Sequence, residues 1–173
     1  MRFVQESVIR AAPERVFAFH EQAGALTLLI PPWESARVIQ AAKISEVGTR
    51  AIVKTTVLGP VTARWVVEHT AYDPPHMFED IQVKGPFRNW RHRHIVESHP
   101  DGAILRDEIE YEPPCGFLGR AVAPILIEKR LRKLFNHRHE ITRRWCEGKG
   151  KDEGESCAGR VERGQHAPDC AET

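Results

Sequence analysis

The chain has 173 residues, enough for one domain with a sizeable core, and 41% of them are hydrophobic. The formal net charge of +1 excludes a global electrostatic attraction to nucleic acid or to an anionic membrane. No apolar run approaches the roughly 18 residues that a bilayer-spanning helix needs. Glu6 stands where a signal peptide would be apolar, so the sequence predicts a cytoplasmic protein. Its four cysteines are then expected to be free thiols: Cys115, Cys146, Cys157 and Cys170.

The N-terminal segment indicates one strand followed by two short helices. Residues 3–10 are rich in β-branched and aromatic side chains and predict the strand. Pro13 predicts the start of the first helix, because the first helical N–H has no intrahelical partner to lose. Residues 25–30 predict the second helix, which ends at Pro31-Pro32.

From residue 36 to residue 112 the pattern becomes one of short strands separated by turns. Turn signals recur at Gly48, Gly59-Pro60, Asp73-Pro74-Pro75, Gly85-Pro86 and Asp101-Gly102. The last of these predicts a two-residue hairpin loop. The connections are too short for crossover helices, so the strands should pair antiparallel. With the N-terminal strand included, the sequence predicts a seven-stranded antiparallel sheet.

Residues 117–146 predict one long C-terminal helix. At about 100° per residue, five apolar side chains fall on one face: Ile127, Leu131, Leu134, Ile141 and Trp145. Pro124 should kink this helix or mark its true start. The predicted domain covers residues 1–147, and the polar, glycine-rich segment 148–173 is expected to be disordered.

This order of elements predicts an internal hollow. A seven-stranded sheet twists strongly, so one long helix laid across its concave face cannot fill the whole space. The two short helices close one end, and the remaining space is available to a ligand.

Residues 78–94 carry the pattern F-x-D-x-Q-x-x-G-P-F-x-x-W-x-H-x-H, which resembles a block in a bacterial branch of the SRPBCC superfamily. Residues 12–17, 114–119 and 134–138, together with Asp107 and Tyr111, extend the resemblance over about residues 1–146. This START-like superfamily includes polyketide cyclases/dehydrases and ligand carriers of the plant-allergen type. The resemblance implies the α+β helix-grip fold, in which the sheet wraps around the long C-terminal helix, and an apolar internal cavity. Similar domains occur fused to nucleotide-sugar epimerase-like reductases, so the resemblance also implies an alternative role as an accessory domain that supplies substrate to a separate enzyme.

Alternation along the strands places five polar side chains on faces that also carry apolar residues. They are expected to line the hollow: Asp80, Gln82, His92, His94 and Asp107. Arg138 falls on the apolar face of the helix, where its guanidinium needs a carboxylate partner or a route to solvent. Asp80 and Asp107 are the candidate partners.

Three interpretations of these residues stay open. In the first, Asp–Arg and Asp–His pairs form a structural network, which the general rules of charge burial favour. In the second, polar and aromatic groups bind a ligand; the expected residues are Gln82, Trp90, His92, His94, Tyr111, Arg138, Trp33 and Trp65. In the third, a general acid or base drives a cyclisation or dehydration; the candidates are His92, His94, Asp80 and Asp107.

Two of the tryptophans also have structural interpretations. Trp33 follows Pro31-Pro32 and is expected to be a core aromatic under the short helices. In the alternative interpretation, its side chain is a gate at the mouth of the cavity. Trp65 is expected to belong to the core or to the cavity wall.

His92 and His94 are also two possible metal ligands on one strand face, with Asp80 or Asp107 as a third. Hydrogen-bonded histidines are the favoured interpretation, so the sequence predicts no metal and no cofactor. Cys157, His166 and Cys170 supply only three irregularly spaced groups, whereas a structural zinc site needs four.

The sequence therefore favours a carrier or sensor that binds a lipid, an isoprenoid or a polyketide-like molecule. The alternative is a small cyclase or dehydratase with a His/Asp pair as general acid and base. The basic residues of the helix are interpreted as its solvated face, so neither nucleic acid nor stable membrane insertion is expected.

Overall fold

The computed structural model of the chain describes residues 1–58, 61–113 and 116–148. The predicted turn at Gly59-Pro60, Cys115, and the predicted tail after Gly148 lie outside these residues. The elements are β1 (Arg2–Ile9), α1 (Pro13–Glu21), α2 (Ala25–Leu28), β2 (Ala36–Gln40), β3 (Arg50–Leu58), β4 (Val61–Asp73), β5 (Met77–Lys84), β6 (Asn89–His99), β7 (Gly102–Glu112) and α3 (Gly116–Glu147). Within the described ranges, no helix is long and apolar enough to cross a bilayer.

The seven strands form one antiparallel sheet in the order β1-β7-β6-β5-β4-β3-β2. This order confirms the predicted meander and the α+β helix-grip fold. The first strand closes the meander by pairing with the last, from Arg2 opposite Glu110 to Ile9 opposite Ala103. α3 approaches β1 and α1 most closely. The long helix therefore covers the β1 side of the concave face more closely than the β2 side.

The predicted hairpin between β6 and β7 is present, but its loop is shifted by one residue. His99 pairs with Gly102, so the two loop residues are Pro100 and Asp101. Gly102 belongs to the strand with a φ of +136°, a conformation that L side chains rarely adopt. An added Cβ would lie 2.3 Å from the carbonyl oxygen of Ile9. Glycine is thus required by close packing against β1 and not by the turn itself.

Replacing Gly102 with alanine is expected to destabilise the fold by about 2 kcal/mol or more, since strain and a backbone clash add together. Gly48→Ala is a matched control, because Gly48 also has a positive φ (+87°) but nothing within 4 Å of an added Cβ. That control should cost only about 1 kcal/mol. Urea unfolding of both variants measures the difference, and equal losses would refute the packing explanation.

The buried stripe of α3 is rotated from the predicted one. Trp145 is 36% exposed, and Ile127, Leu134 and Ile141 are only half-buried. The buried residues of α3 are instead spaced three or four positions apart, as expected for one face of a helix: Leu131, Phe135, His139, Thr142 and Cys146. The prediction was wrong because His139 and Thr142 are not apolar. His139 is buried against Asp107 and Ser7 of the sheet, and the Thr142 hydroxyl donates to the Arg138 carbonyl of the same helix. α3 also begins well before Pro124, so that proline does not mark its start.

The outward face of the sheet is charged, as the alternation predicts. Arg91 and Arg93 donate from Nε to the Oε2 of Glu79 at 2.7 and 3.0 Å, and Thr70 donates to its Oε1 at 2.8 Å. Glu79 itself is buried beneath these partners. Ion pairs of this kind fix strand register more than they add stability.

Candidate ligand site

The interior is divided into three layers between the sheet and α3. Around α1 lies an apolar cluster that includes Ile9, Phe17, Phe78, Leu105 and Cys146. Beside the middle of α3 lies the aromatic layer, which we define as Phe3, Trp90, Ile109, Tyr111, Leu131 and Phe135. Between them lies the polar layer, defined as the buried residues Asp80, His92, His94, Asp107 and His139. β6 shows the origin of this order, since its inward positions are successively aromatic, histidine, histidine and valine.

Asp107 is the centre of the polar layer. Its Oδ1 accepts a hydrogen bond from Nε2 of His92 at 2.8 Å, and its Oδ2 accepts one from Nε2 of His139 at 2.6 Å. The other nitrogen of His139, Nδ1, lies 2.9 Å from the hydroxyl oxygen of Ser7. One carboxylate thus connects β7 to β6 and α3, and His139 extends the network to β1.

His94 approaches the same carboxylate without a hydrogen bond to it. Its Nδ1 lies 2.7 Å from Oδ1 of Asp107, but the atoms are not aligned for a hydrogen bond. This nitrogen has no other hydrogen-bond partner in the described part of the chain. The ring is stacked on Phe78 with 4.0 Å between centroids, and its centroid lies 3.8 Å from that of His92. Ring packing therefore sets the position of His94.

Asp80 lies between the two histidines of β6. Its Oδ2 is 3.5 Å from Nδ1 of His92 and 3.6 Å from Nε2 of His94. Both distances are too long for good hydrogen bonds. In the sheet, Asp80 pairs with His92 on one side and with His69 on the other. The buried carboxylate is therefore surrounded by imidazoles that it does not bind closely.

The charges of the polar layer balance one another. Burial acts to raise the pKa of Asp107, but His94, His139 and His92 hold that pKa well below its usual value. Burial likewise acts to raise the pKa of Asp80, and His92 and His94 lower it. Burial acts to lower the pKa of His92, but Asp107 and Asp80 outweigh it and raise that pKa to about 9. At neutral pH two carboxylates therefore face a protonated His92.

Arg138 lies near this layer but does not form the predicted ion pair. Among the described residues its Nε has no hydrogen-bond partner, and its Cζ lies 5.1 Å from the ring centroid of Phe135. Burial lowers the pKa of Arg138, and the charges of Asp107 and Asp80 act in the opposite direction. A direct carboxylate partner was the wrong expectation, because the histidines already occupy the space around both aspartates.

Four of the predicted ligand-binding residues lie near the aromatic layer. Three are aromatic side chains that pack in or against this layer, and the fourth, Gln82, is hydrogen-bonded to a turn. Trp90 and Tyr111 are buried, and Trp65 packs edge-on against Trp90 with 4.9 Å between centroids. The indole Nε1 of Trp65 is a buried donor with no partner in the described chain. Gln82 is already engaged, since it donates to the Phe87 carbonyl at 2.7 Å and accepts from the Phe87 N–H at 3.3 Å. Its amide therefore holds the turn after β5.

The concave face of β2, β3 and the start of β4 is lined mainly by small side chains, with Trp65 as the large exception. Cross-strand partners share a face, so the pairs Val53–Trp65, Thr55–Ala63 and Ala51–Val67 identify the inward positions. On β2 the inward residues are Ala36 and Val38. Most of these residues are only half-buried although they face the interior. We call the space between them and α3 the hollow, and Trp65 with the aromatic layer forms its wall.

The loop after α2 closes one edge of the hollow. Trp33 is 46% exposed, with its ring 4.4 Å from the Lys133 ammonium and 5.0 Å from the His137 ring. Glu34 accepts a hydrogen bond from Nη2 of Arg130 at 2.6 Å, and the same atom donates to the Thr56 carbonyl at 3.2 Å. The core interpretation of Trp33 was wrong, because the prolines before it direct the loop outward onto α3.

An open pocket of about 440 Å³ adjoins this loop. Its lining includes Ile30, Pro31, Pro32, Ala36 and Val38. Ala36 and Val38 also belong to the inward face of β2. The pocket thus lies at the edge strand, next to the hollow and away from the polar layer.

Sequence reasoning missed two members of the polar network, His139 and Ser7. His139 follows Phe135 by four residues and Leu131 by eight, so helical spacing from the aromatic layer was the available signal. Ser7 shares an inward strand face with Phe3 and Ile9. Neither signal identifies a partner, because Ser7 and His139 are 132 residues apart in sequence.

Comparison with known proteins agrees with this architecture. Residues 9–138 match the model of the family described as polyketide cyclase/dehydrase and lipid transport. No curated protein matches the chain. Among solved structures, TTHA0849 from Thermus thermophilus has 18% identity and a TM-score of 0.62 over 82% of this chain and 97% of that chain. CV1439 from Chromobacterium violaceum has 15% identity and a TM-score of 0.65 over 85% and 98% of the two chains.

A third similar structure is a nucleoside-diphosphate sugar epimerase from Corynebacterium glutamicum. It has 20% identity and a TM-score of 0.61, and the match covers 82% of this chain but only 28% of the epimerase. At such identities the solved structures establish the fold alone. The family match covers most of the domain, and the chain therefore belongs to the polyketide cyclase/dehydrase and lipid transport family of the SRPBCC superfamily.

Proposed function

We propose that this protein binds a hydrophobic small molecule, such as a lipid, an isoprenoid or a polyketide-like compound, and acts as its carrier or sensor. The observation that carries the proposal is the hollow. The inward-facing side chains described on β2 and β3, together with Ala63 and Val67 of β4, are small and mostly half-buried, whereas most of those on β5, β6 and β7 are large and buried. An apolar ligand in the hollow would cover the surface that the sheet leaves open there.

The helix side of the hollow supports the same proposal. Ile127 and Leu134 pack against the aromatic layer but remain half-buried. Covering such apolar surface contributes about 25 cal/mol for each Å² removed from water.

The proposed ligand carries at least one hydrogen-bond acceptor. The buried Nε1 of Trp65 faces no acceptor among the described residues, and an unpaired buried donor costs about 1–3 kcal/mol. An oxygen of a carboxyl, carbonyl or hydroxyl group on the ligand would satisfy it. This favours an oxygenated lipid or polyketide over a pure hydrocarbon.

We place this function in the cytoplasm. The described cysteine, Cys146, is a free thiol buried between α3 and α1, as expected in a reducing compartment. Burial raises its pKa to about 11, so the thiol stays protonated and unreactive at neutral pH.

Filling the hollow is expected to abolish ligand binding. Val53→Trp adds bulk at an inward position of β3, opposite Trp65. We expect the affinity for the amphiphilic dye anilinonaphthalene sulfonate, whose aromatic rings bind apolar surface, to fall at least about tenfold, which corresponds to about 1.4 kcal/mol. Fluorescence titration of the full chain measures this affinity.

Ile52→Trp is the matched control, because Ile52 directly precedes Val53 in β3, points to the opposite face and is also half-buried. It should leave the dye affinity within about twofold of wild type. Equal affinities for both variants would place the dye outside the hollow and remove the support for this proposal.

A further inference from the structure

We propose that Asp80, His92 and His94 form a binding site for one divalent transition-metal ion. One donor atom of each residue lies within 4.8 Å of the donors of the other two. All three side chains are buried. This site does not depend on the hydrophobic ligand, and it goes beyond the carrier function proposed above.

The distances fit a metal better than they fit hydrogen bonds. Oδ2 of Asp80 is 3.5 Å from Nδ1 of His92 and 3.6 Å from Nε2 of His94. Ligands bound to zinc at 2.0–2.2 Å in a tetrahedron lie about 3.3–3.6 Å from one another. A hydrogen bond would instead require about 2.7–3.2 Å. The two distances from the Asp80 carboxylate to the imidazoles are therefore already those that a shared ion imposes, and the donor atoms of the two imidazoles lie within 4.8 Å of each other.

A carboxylate behind the two imidazoles completes the arrangement. Histidines that bind a metal through one nitrogen normally present the other to a carboxylate or a carbonyl. Here Nε2 of His92 donates to Asp107 at 2.8 Å, and Nδ1 of His94 lies 2.7 Å from the same oxygen. The nitrogens that face Asp80 are the opposite ones, so both rings are oriented with their second nitrogen toward Asp80.

The supporting elements are rigid. His92 and His94 are two residues apart on the same face of β6, and Asp80 is the cross-strand partner of His92 on β5. Asp107 is held in turn by His139, which contacts Ser7. Sites built on paired strands keep their ligands in place before the ion arrives.

The donor set indicates the class of ion. Two imidazoles and one carboxylate without a thiolate suit zinc and the divalent ions of iron and manganese. Three protein ligands leave the remaining coordination positions for water or for an oxygen of a bound molecule.

The test is titration of the full chain with zinc alone, after removal of metal with EDTA, by isothermal calorimetry. We expect one ion per chain, bound with displacement of the proton that His92 carries on Nδ1 at neutral pH. Asp80→Asn and His94→Gln should each weaken binding at least about 100-fold, because each removes one of three ligands. Unfolding curves in EDTA establish that both variants are folded.

Two control variants separate this site from adventitious ones. His76→Gln changes an exposed histidine in the turn between β4 and β5, and the double variant C157S/C170S removes the thiols of Cys157 and Cys170. Both should bind zinc as wild type does. No binding by wild type, unchanged binding in D80N and H94Q, or loss of binding in C157S/C170S would each overturn the proposal.

If D80N or H94Q does not fold, a second measurement shows whether zinc binds at the proposed site. Wild-type crystals soaked in zinc should show anomalous density within bonding distance of Asp80, His92 and His94. Density found only at other residues would overturn the proposal.

Discussion

Replacing Asp107 with asparagine is expected to lower the free energy of unfolding by about 3–5 kcal/mol, because one partner of a buried charge network is removed. The carboxylate accepts hydrogen bonds from His92 and His139 and is almost completely buried. Asparagine has nearly the same shape but only one acceptor atom. At least one imidazole N–H then has no acceptor, and the protonated His92 and the Arg138 guanidinium lose a compensating charge.

Glu108→Gln is the control for this variant, since it removes a carboxylate from the adjacent position on the outward face. Glu108 accepts from Nη2 of Arg2 at 3.0 Å, and the Arg2 side chain is 62% exposed. The expected cost is at most about 1 kcal/mol. Urea unfolding with EDTA present measures both variants. A loss of less than about 1 kcal/mol for Asp107→Asn would show that the polar layer does not hold the sheet to the helix.

Replacing Phe135 with alanine is expected to cost about 3–5 kcal/mol, as for other large buried side chains. Phe135 is 1% exposed and packs in the aromatic layer between α3 and the sheet. Its ring lies 5.8 Å from that of Phe3 and edge-on to His92 at 5.2 Å. Alanine leaves a void at the junction of the aromatic and polar layers and removes the ring below the Arg138 guanidinium.

Leu126→Ala is the control for the Phe135 variant, because it removes a large apolar side chain from an exposed position on the same helix. Its effect on stability should stay within about 0.5 kcal/mol of wild type. Chemical unfolding monitored by circular dichroism compares the two variants. If both lose the same stability, Phe135 does not anchor the helix to the sheet.

The fold could be predicted from local patterns. Alternation along residues 90–96 and 105–111 identified the inward side chains of β6 and β7, because a strand with one buried face must alternate. On β5 the cross-strand pairs Phe78–His94 and Asp80–His92 place the predicted side chains on the inward face, although the outward Glu79 is also buried. Proline and glycine signals delimited the strands to within a few residues. Pro13 marked the first residue of α1.

The candidate site could be predicted only in part. Asp80, His92, His94 and Asp107 were placed together because alternation fixes their face, but His139 and Ser7 were missed. A polar residue gives no hydrophobic signal, and its burial is decided by a partner that is distant in sequence. The same reason misplaced the stripe of α3 and assigned Arg138 a carboxylate partner.

The position of the hollow also depends on tertiary structure. Ala36, Ala51 and Ala63 carry no ligand-binding signal in the sequence. Their importance follows from the position of α3, which lies nearer to β1 than to β2. Small side chains on the strands far from β1 therefore leave space beneath the helix. Helix position across a sheet is set by the packing of large residues such as Phe135, which sequence periodicity does not locate.

Native mass spectrometry of the freshly purified full chain, followed by denaturing extraction, tests the hollow most directly. We expect a discrete extra mass that leaves on denaturation, that belongs to an oxygenated apolar molecule, and that is absent from Val53→Trp but retained by Ile52→Trp. Only the mass of the free chain, together with no uptake of an added fatty acid, would contradict the proposal that this protein binds a hydrophobic ligand between its sheet and its long helix.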